Sequence, residues 1–198
     1  MRRGPALAAL SGIAALAMPA HAQLAPTARK ALPVTANAPQ VCVMDRVRLD
    51  GGALVNFIGL DGDTLQIEQL TDSATLAARP ASADLSVAAV CNFPHRIRLE
   101  SQNNGLWPTD GRAASASRGF ATALPYSARI DWGGTGASFV ADAKVRRLTE
   151  ARFSVDSPVA GDLRLRIAIE PGASNGGVAA PVLAGVYGDT LRIFLEPR

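Results

Sequence analysis

The side chains best suited to chemistry are few and scattered along this chain. His95 follows Cys91 by four residues, and these two residue types could form a thiol nucleophile with its general base. No spacing around His95 supplies the further partner that a catalytic triad requires. Residues 61–63 read Asp-Gly-Asp, but the next acid is Glu68, which is the wrong spacing for a calcium loop. We therefore predict no catalytic, cofactor-binding or metal-binding residues, no enzymatic activity, and a hairpin turn at 61–63.

Three aromatic residues offer a different chemistry. Trp107, Trp132 and Tyr126 could line a sugar site in a self-contained secreted binding module built on a complete β-sandwich. Aromatic residues more often fill or cap a sandwich core, and their burial there needs no ligand. We predict core positions for them and keep the carbohydrate-binding module as the alternative function. An exported hydrolase is a third possibility, for which no nucleophile or carboxylate pair can be identified.

The first 22 residues have the three parts of a secretory signal peptide. Two arginines precede an apolar run from Ala6 to Met18, and Ala20-His21-Ala22 supplies small residues for cleavage after Ala22. The run is short for a membrane span and rich in alanine. We expect residues 1–22 to be removed, and the protein to be exported with no transmembrane segment in the mature chain.

The charge pattern argues against nucleic acid as a partner. The whole chain has 20 Lys and Arg against 17 Asp and Glu, and two of the cations lie in the signal peptide. The cations form no clustered basic face, and aromatic residues are only 5% of the chain.

The two cysteines, Cys42 and Cys91, both follow the signal peptide. In an oxidising compartment they are expected to form a disulfide. A loop of about 50 residues closed in this way is worth on the order of 4 kcal/mol in the chain-entropy description.

Alternating apolar and polar residues predict an all-β fold. The clearest strand is "GDLRLRIAIEP", in which Leu163, Leu165, Ile167 and Ile169 face one side. In "VCVMDRVRLDGG" the odd-numbered positions 41, 43, 47 and 49 carry the aliphatic residues that we expect on one face. Residues 141–153 fit either a short helix or a strand, and the alternation after them favours a strand. Seven or eight short strands without a long helix predict a β-sandwich over residues 41–198.

Both ends of the exported chain carry alternating apolar residues. Residues 23–40 contain three prolines and little bulk, and we expect a flexible segment with Leu32, Val34 and Ala36 on one side. The closing strand places Leu191, Ile193 and Leu195 on one face. We expect an incomplete sandwich whose apolar groove beside this last strand accepts the N-terminal segment of another copy as an added strand.

Four stretches of the chain form a recognisable set: "ALPVTANAPQVCVM", "LSVAAVCN", "LPYSARIDWGG" and "AGVYGDTLRIFLEP". Together they resemble the spore coat protein U domain family, which includes pilin subunits of archaic chaperone–usher pili. The most specific part is the closing motif formed by Ala184, Gly185, Tyr187, Asp189 and Thr190.

The resemblance implies an immunoglobulin-like β-sandwich that lacks one strand, with neither cofactor nor metal. It implies three kinds of partner: a periplasmic chaperone that holds the groove, an outer-membrane usher, and further copies of this or a related subunit. The expected location is the periplasm and then the cell surface, in a pilus or fimbria. The Phe-Gly-x-Tyr element usual after the first cysteine and the Arg-x-Met element of the middle loop are absent. A major pilin, a minor subunit and a divergent relative of the family therefore all remain open.

Overall fold

The computed structural model describes residues 28–52, 54–110 and 119–198, and the predicted signal peptide lies outside this part of the chain. The described residues form strands joined by turns and loops, without a helix. In chain order the strands are β1 (Cys42–Leu49), β2 (Phe57–Asp61), β3 (Thr64–Ile67), β4 (Ala81–Cys91), β5 (His95–Ser101), β6 (Trp107–Pro108), β7 (Tyr126–Trp132), β8 (Thr135–Ala141), β9 (Thr149–Val155), β10 (Val159–Ile169), β11 (Tyr187–Gly188) and β12 (Leu191–Pro197).

The larger sheet has five antiparallel strands in the order β1-β4-β10-β7-β8. At its centre, β10 pairs with β4 along all 11 of its residues. Small and aliphatic residues alternate with polar ones in both strands, so one face of the sheet can be buried while the other meets water. Leu85 and Leu163 are among the buried residues of the inner face.

The smaller sheet has three antiparallel strands in the order β12-β5-β9. Its inner face contributes Ile97, Leu99 and Val155 to the same apolar core as the five-stranded sheet. The alternate residues on its outer face are largely charged. Two sheets packed through one core make a β-sandwich, which confirms the predicted fold class.

A second, smaller apolar cluster lies where β4 and β7 begin. Its buried members are Ala78, Ala121, Leu124 and Val182, which come from loops that hydrogen-bond to one another. The short β6–β11 pair belongs to the same region, because Leu106 and Tyr187 pack against this cluster. These loops therefore have a core of their own.

The β2–β3 hairpin confirms the turn predicted at residues 61–63. Asp61 pairs with Thr64, and Gly62 between them has a φ of 58°, a left-handed conformation that glycine adopts at little cost. Asn56 fixes the base of the hairpin, because its side chain donates to the carbonyl of Gln69 and accepts from the backbone N–H of that residue.

The face expected for β1 is wrong in its first half. Val43 pairs with Val90 on the outer face, whereas Val47 pairs with Val87 on the inner face. A β-bulge between Met44 and Val47 shifts the register and reverses which positions point inward. The regular odd-number spacing in the sequence concealed this reversal.

Residues 141–153 form no helix. Residues 142–148 are irregular, and β9 begins at Thr149, so the preference for a strand holds for the second half of this stretch. Asn104, which is buried, binds the loop: its Nδ2 lies 2.6 Å from Asp142 Oδ1, and its Oδ1 accepts from the backbone N–H of Asp142 at 3.1 Å. This loop carries the chain from one sheet to the other.

The chain divides into two compact units, residues 1–37 and 38–198. The described part of the first unit, residues 28–37, contains no strand. No helix in the described ranges is long and apolar enough to cross a membrane.

Candidate docking groove between two strand edges

One side of the sandwich is bounded by two edge strands that run in opposite directions. β1 is an edge of the larger sheet and β12 an edge of the smaller one. β1 begins at Cys42, beside Cys91, while β12 ends at Pro197, beside His95. We call this the disulfide end of the sandwich. Among the strands that the structure describes, each of these two pairs on one side alone, with β4 and with β5 respectively.

The opposite end of the sandwich is marked by Tyr126, the first residue of β7. Its hydroxyl donates to Asp189 Oδ2 at 2.8 Å, which brings the start of β12 to this end. β4 begins and β10 finishes here, at Ala81 and Ile169, which pair with each other. We call this the tyrosine end.

A groove of about 730 Å³ lies between β1 and β12. Its apolar lining comes from both sheets and from the hairpin, and Asp45, Arg46, Asp63, Thr64, Asp189 and Thr190 add polar side chains to it. The lining includes Val47, Phe57, Leu65, Ile67, Leu85, Val87, Leu165, Ile167, Ile169, Leu191 and Ile193.

The structure places all three predicted acceptor residues on the inner face of β12. Leu191 and Ile193 line the groove, and Leu195 packs partly buried against the same core. Sequence reasoning missed the rest of the groove. The bulge in β1 and the packing of the β2–β3 hairpin bring Val47 and Ile67 to it, and no local pattern indicates either arrangement.

Asp189 organises the tyrosine end of the groove. Besides the Tyr126 hydroxyl, it accepts hydrogen bonds from Ser101 Oγ and from the backbone N–H groups of Asn103 and Thr190, at 2.9 and 2.8 Å. A carboxylate with this many donors is firmly held, because hydrogen bonds to an ionised group are roughly twice as strong as neutral ones. Asp189 therefore sets where β12 begins and closes one end of the groove with a polar wall.

The phenol of Tyr126 is kept neutral by its surroundings. Burial raises its pKa well above the ordinary value, and the negative charge of Asp189 raises it further. A neutral phenol can donate to a carboxylate, so this protonation state and the Asp189 contact support each other.

The predicted disulfide between Cys42 and Cys91 is present and joins the first residue of β1 to the last of β4. Asn92 also holds the chain next to the disulfide. Its Oδ1 accepts from the backbone N–H of Val41 at 2.9 Å, and its Nδ2 donates to the carbonyl of Pro39 at 2.8 Å. The chain is thus fastened at residues 39–42, just before β1, which is a contribution of Asn92 that the sequence did not indicate.

The predicted donor residues precede residue 39, where the contacts with Asn92 begin. Leu32 and Val34 have exposed fractions of 80% and 89%, and Ala36 is exposed as well. None of the three lies in a strand.

The outer face of β12 has partners within its own sheet. The guanidinium of Arg98 lies 3.8 Å from the ring centre of Phe194 and its Nε is 3.2 Å from Glu196. Arg192 lies 3.0 Å from Glu100. On the inner face, Leu191, Ile193 and Leu195 are only partly buried.

The residues considered for catalysis or sugar binding occupy other roles. Cys91 is in the disulfide, so no thiol stands beside His95. His95 is fully buried, with its ring centre 4.9 Å from that of Trp132. Trp132 is 1% exposed and Tyr126 is buried, whereas Trp107 is half-buried in β6. In the described residues, no three His, Cys, Asp or Glu side chains are grouped to hold a metal ion.

Comparison with the models of known protein families found no match for this chain. A search of curated proteins found no match either.

Proposed function

We propose that this protein is a structural subunit of a secreted or surface fibre, in which each subunit completes its neighbour by donating its N-terminal segment as a strand. The observation that carries the proposal is the apolar groove between β1 and β12, which lies beside two strand edges. Unpaired backbone groups beside an apolar trough are suited to an added strand, which gains main-chain hydrogen bonds and side-chain burial together.

The N-terminal segment has the spacing that such a groove requires. Leu32, Val34 and Ala36 repeat every two residues, as do Leu191, Ile193 and Leu195 on β12. In extended form each set spans about 13 Å, at roughly 3.3 Å per residue. Full burial of an exposed leucine or valine contributes about 1.5–3 kcal/mol. The two largest donor side chains therefore supply a substantial part of the association energy.

The direction of the donor follows from the two edges. Because β1 and β12 run in opposite directions, an inserted strand that is antiparallel to one is parallel to the other. β12 offers the more regular edge, because a bulge between Met44 and Val47 interrupts β1 whereas β12 pairs with β5 without a break. We therefore infer that the donor makes its antiparallel ladder, the slightly more stable kind, with β12. Leu32 then lies toward the disulfide end of the acceptor, and Ala36 toward its tyrosine end.

The resemblance to the spore coat protein U family supports the same function and supplies the assembly partners. A periplasmic chaperone would cover the groove until an outer-membrane usher replaces it with the next subunit's segment. This protects the edge strands, which are otherwise prone to non-specific pairing. The fibre would then be displayed at the cell surface.

Two variants test the proposal, and each adds one negative charge to a different face of the donor segment. Val34→Asp puts a carboxylate on the side that enters the groove, and Thr35→Asp puts the same charge on the other side. We expect the wild type and Thr35→Asp to form polymers and Val34→Asp to stop at monomers, because an unpaired charge is costly to bury. Light scattering after size-exclusion chromatography measures the masses.

Two results would overturn the proposal. One is a wild-type protein that remains a stable monomer at high concentration. The other is a Val34→Asp variant that polymerises as fully as Thr35→Asp, since the polymer would then not depend on the inward face of the segment.

A further inference from the structure

Exposed aliphatic and aromatic side chains collect at both ends of the sandwich. At the tyrosine end, Leu76, Phe120 and Val178 are exposed, and Val178 has an exposed fraction of 95%. At the disulfide end, Val43 and Val90 form an outward-facing cross-strand pair with exposed fractions of 59% and 50%. We call these the tyrosine-end patch and the disulfide-end patch.

The tyrosine-end patch is built on segments that are held together. The backbone N–H of Val182 donates to the carbonyl of Leu76 at 2.9 Å, and that of Ala121, next to Phe120, donates to Pro181 at 2.8 Å. Val178 lies in the loop that precedes Pro181, and Gly172 and Ala179 close this loop with a 2.9 Å hydrogen bond. The tyrosine-end patch therefore lies next to the second, smaller apolar cluster.

The disulfide-end patch is equally well supported. Val43 follows Cys42 and Val90 precedes Cys91, so the disulfide lies beside the pair. Val41, which is also exposed, is held by the side chain of Asn92 at 2.9 Å. Larger exposed apolar patches on a folded protein often mark a site of interaction with another molecule.

We propose that the two patches meet in the fibre, so that the tyrosine end of one subunit packs against the disulfide end of the next subunit. This inference rests on the proposed donor-strand function. A donor antiparallel to β12 places its Ala36 at the tyrosine end of the acceptor. Residues 37–41 then lead to Cys42 of the donor subunit, and six extended residue steps span at most about 20 Å. The linker therefore holds the donor's disulfide end close to the acceptor's tyrosine end.

The occupant of each patch is thus a second copy of this chain. The contact is heterologous, because different surfaces of the two copies meet, and such a contact repeats along a chain of subunits without closing it. It adds a second interface beside the inserted strand and limits how freely neighbouring subunits pivot about residues 37 and 38, which precede the contacts of Asn92 with Pro39 and Val41.

A photo-crosslinking amino acid tests the contact in the assembled full chain. Val178→p-benzoylphenylalanine places the probe in the patch, and Ser138→p-benzoylphenylalanine is the control, because Ser138 is exposed midway along β8, opposite Arg129. Polymers of each variant are irradiated, and the linked peptides are identified by mass spectrometry. We expect the probe at 178 to attach to residues 39–43 or 88–92 of a neighbour, and the probe at 138 to give severalfold less product.

The possible outcomes distinguish a failure of the end-to-end contact from a failure of the proposed function. Polymers that form but show no crosslink from position 178 to the disulfide end would overturn the end-to-end contact and leave the donor strand intact. Equal crosslinking from 138 and 178 would also overturn it. A wild type that forms no polymer would refute the proposed function, and the contact with it. A second variant, Val178→Asp, should give polymers that bend more sharply in electron micrographs than those of Ser138→Asp; equal curvature would contradict the contact.

Discussion

At the scale of single residues, Asp189 and Tyr126 show how a polar pair can fix the boundary of an apolar groove. The Tyr126 hydroxyl lies 2.8 Å from Asp189 Oδ2 in a largely buried setting. Losing one partner leaves the other with an unmade hydrogen bond, which costs more than the bond contributes. The pair therefore specifies the start of β12 more strongly than a surface contact would.

Tyr126→Phe should change how stability depends on alkaline pH. The pKa of Tyr126 is raised by burial and by Asp189, so the folded state keeps this proton where the unfolded state releases it. The contribution of the Tyr126 phenol to the free energy of unfolding should therefore be constant below about pH 10 and should fall above that pH. Without Tyr126, we expect a shallower alkaline fall and a loss of about 1–2 kcal/mol at neutral pH.

Tyr187→Phe is the matched control, since these are the two tyrosines of the chain. The Tyr187 hydroxyl donates to the carbonyl of Leu183 at 2.7 Å, and partial burial also raises its pKa. Urea unfolding at several alkaline pH values measures both variants. An unchanged alkaline slope in Tyr126→Phe would show that Tyr126 is not the responsible group.

At the scale of secondary structure, β1 is held in the sheet by more than its ladder with β4. It lies at a sheet edge, and a bulge between Met44 and Val47 interrupts its ladder with β4. The Cys42–Cys91 disulfide and the contacts of Asn92 fasten its first residue. β1 is therefore held to β4 on one side, while its other edge pairs with none of the described strands and borders the groove.

The double variant Cys42→Ala, Cys91→Ala should lose on the order of 4 kcal/mol of unfolding free energy, because the unfolded chain is no longer constrained by the crosslink. Hydrogen exchange should rise first in β1. The control is Val90→Ala, which changes the neighbouring cross-strand pair and leaves the disulfide in place. A double variant as resistant to urea as Val90→Ala would contradict this role for the disulfide.

At the scale of the whole molecule, the two sides of the sandwich are closed to different degrees. β8 leads through residues 142–148 directly into β9, and Asn104 binds that loop. On the other side, β1 and β12 flank the groove. Under the proposed function, this asymmetry gives each subunit one donor and one acceptor, so that growth is linear.

Complementation between two defective subunits tests that linear arrangement. Val34→Asp has a defective donor and an intact groove, whereas Ile193→Gln has an intact donor and a polar group in its groove. Neither variant should polymerise alone. Mixed together, they should form a dimer of one copy of each and stop there, as measured by light scattering and native mass spectrometry.

The control for that experiment replaces the neighbour of Ile193 on the outer face of β12. Arg192→Gln introduces the same side chain and removes a partly exposed ion pair with Glu100, which is worth little. Arg192→Gln alone should polymerise, and mixing it with Val34→Asp should give longer products capped at one end. Chains longer than two from the Val34→Asp and Ile193→Gln mixture would contradict the assignment of donor and acceptor.

Much of this protein could be predicted from local patterns. The alternation in β10 and β12 and the turn at Asp61-Gly62-Asp63 depend on physics that acts over neighbouring residues. The two cysteines of the chain leave a single possible intramolecular pairing. Those features predicted the all-β sandwich, the disulfide and the inner face of β12.

The tertiary structure alone decided the features that depend on residues distant in the chain. The β1 bulge reverses which valines face inward, because its register is set by pairing with β4 and not by its own alternation. The β2–β3 hairpin joins the groove lining, and Asp189 meets Tyr126 from 63 residues away. A groove is a gap between packed sheets, so its position follows from how the sheets pack, which no single segment encodes.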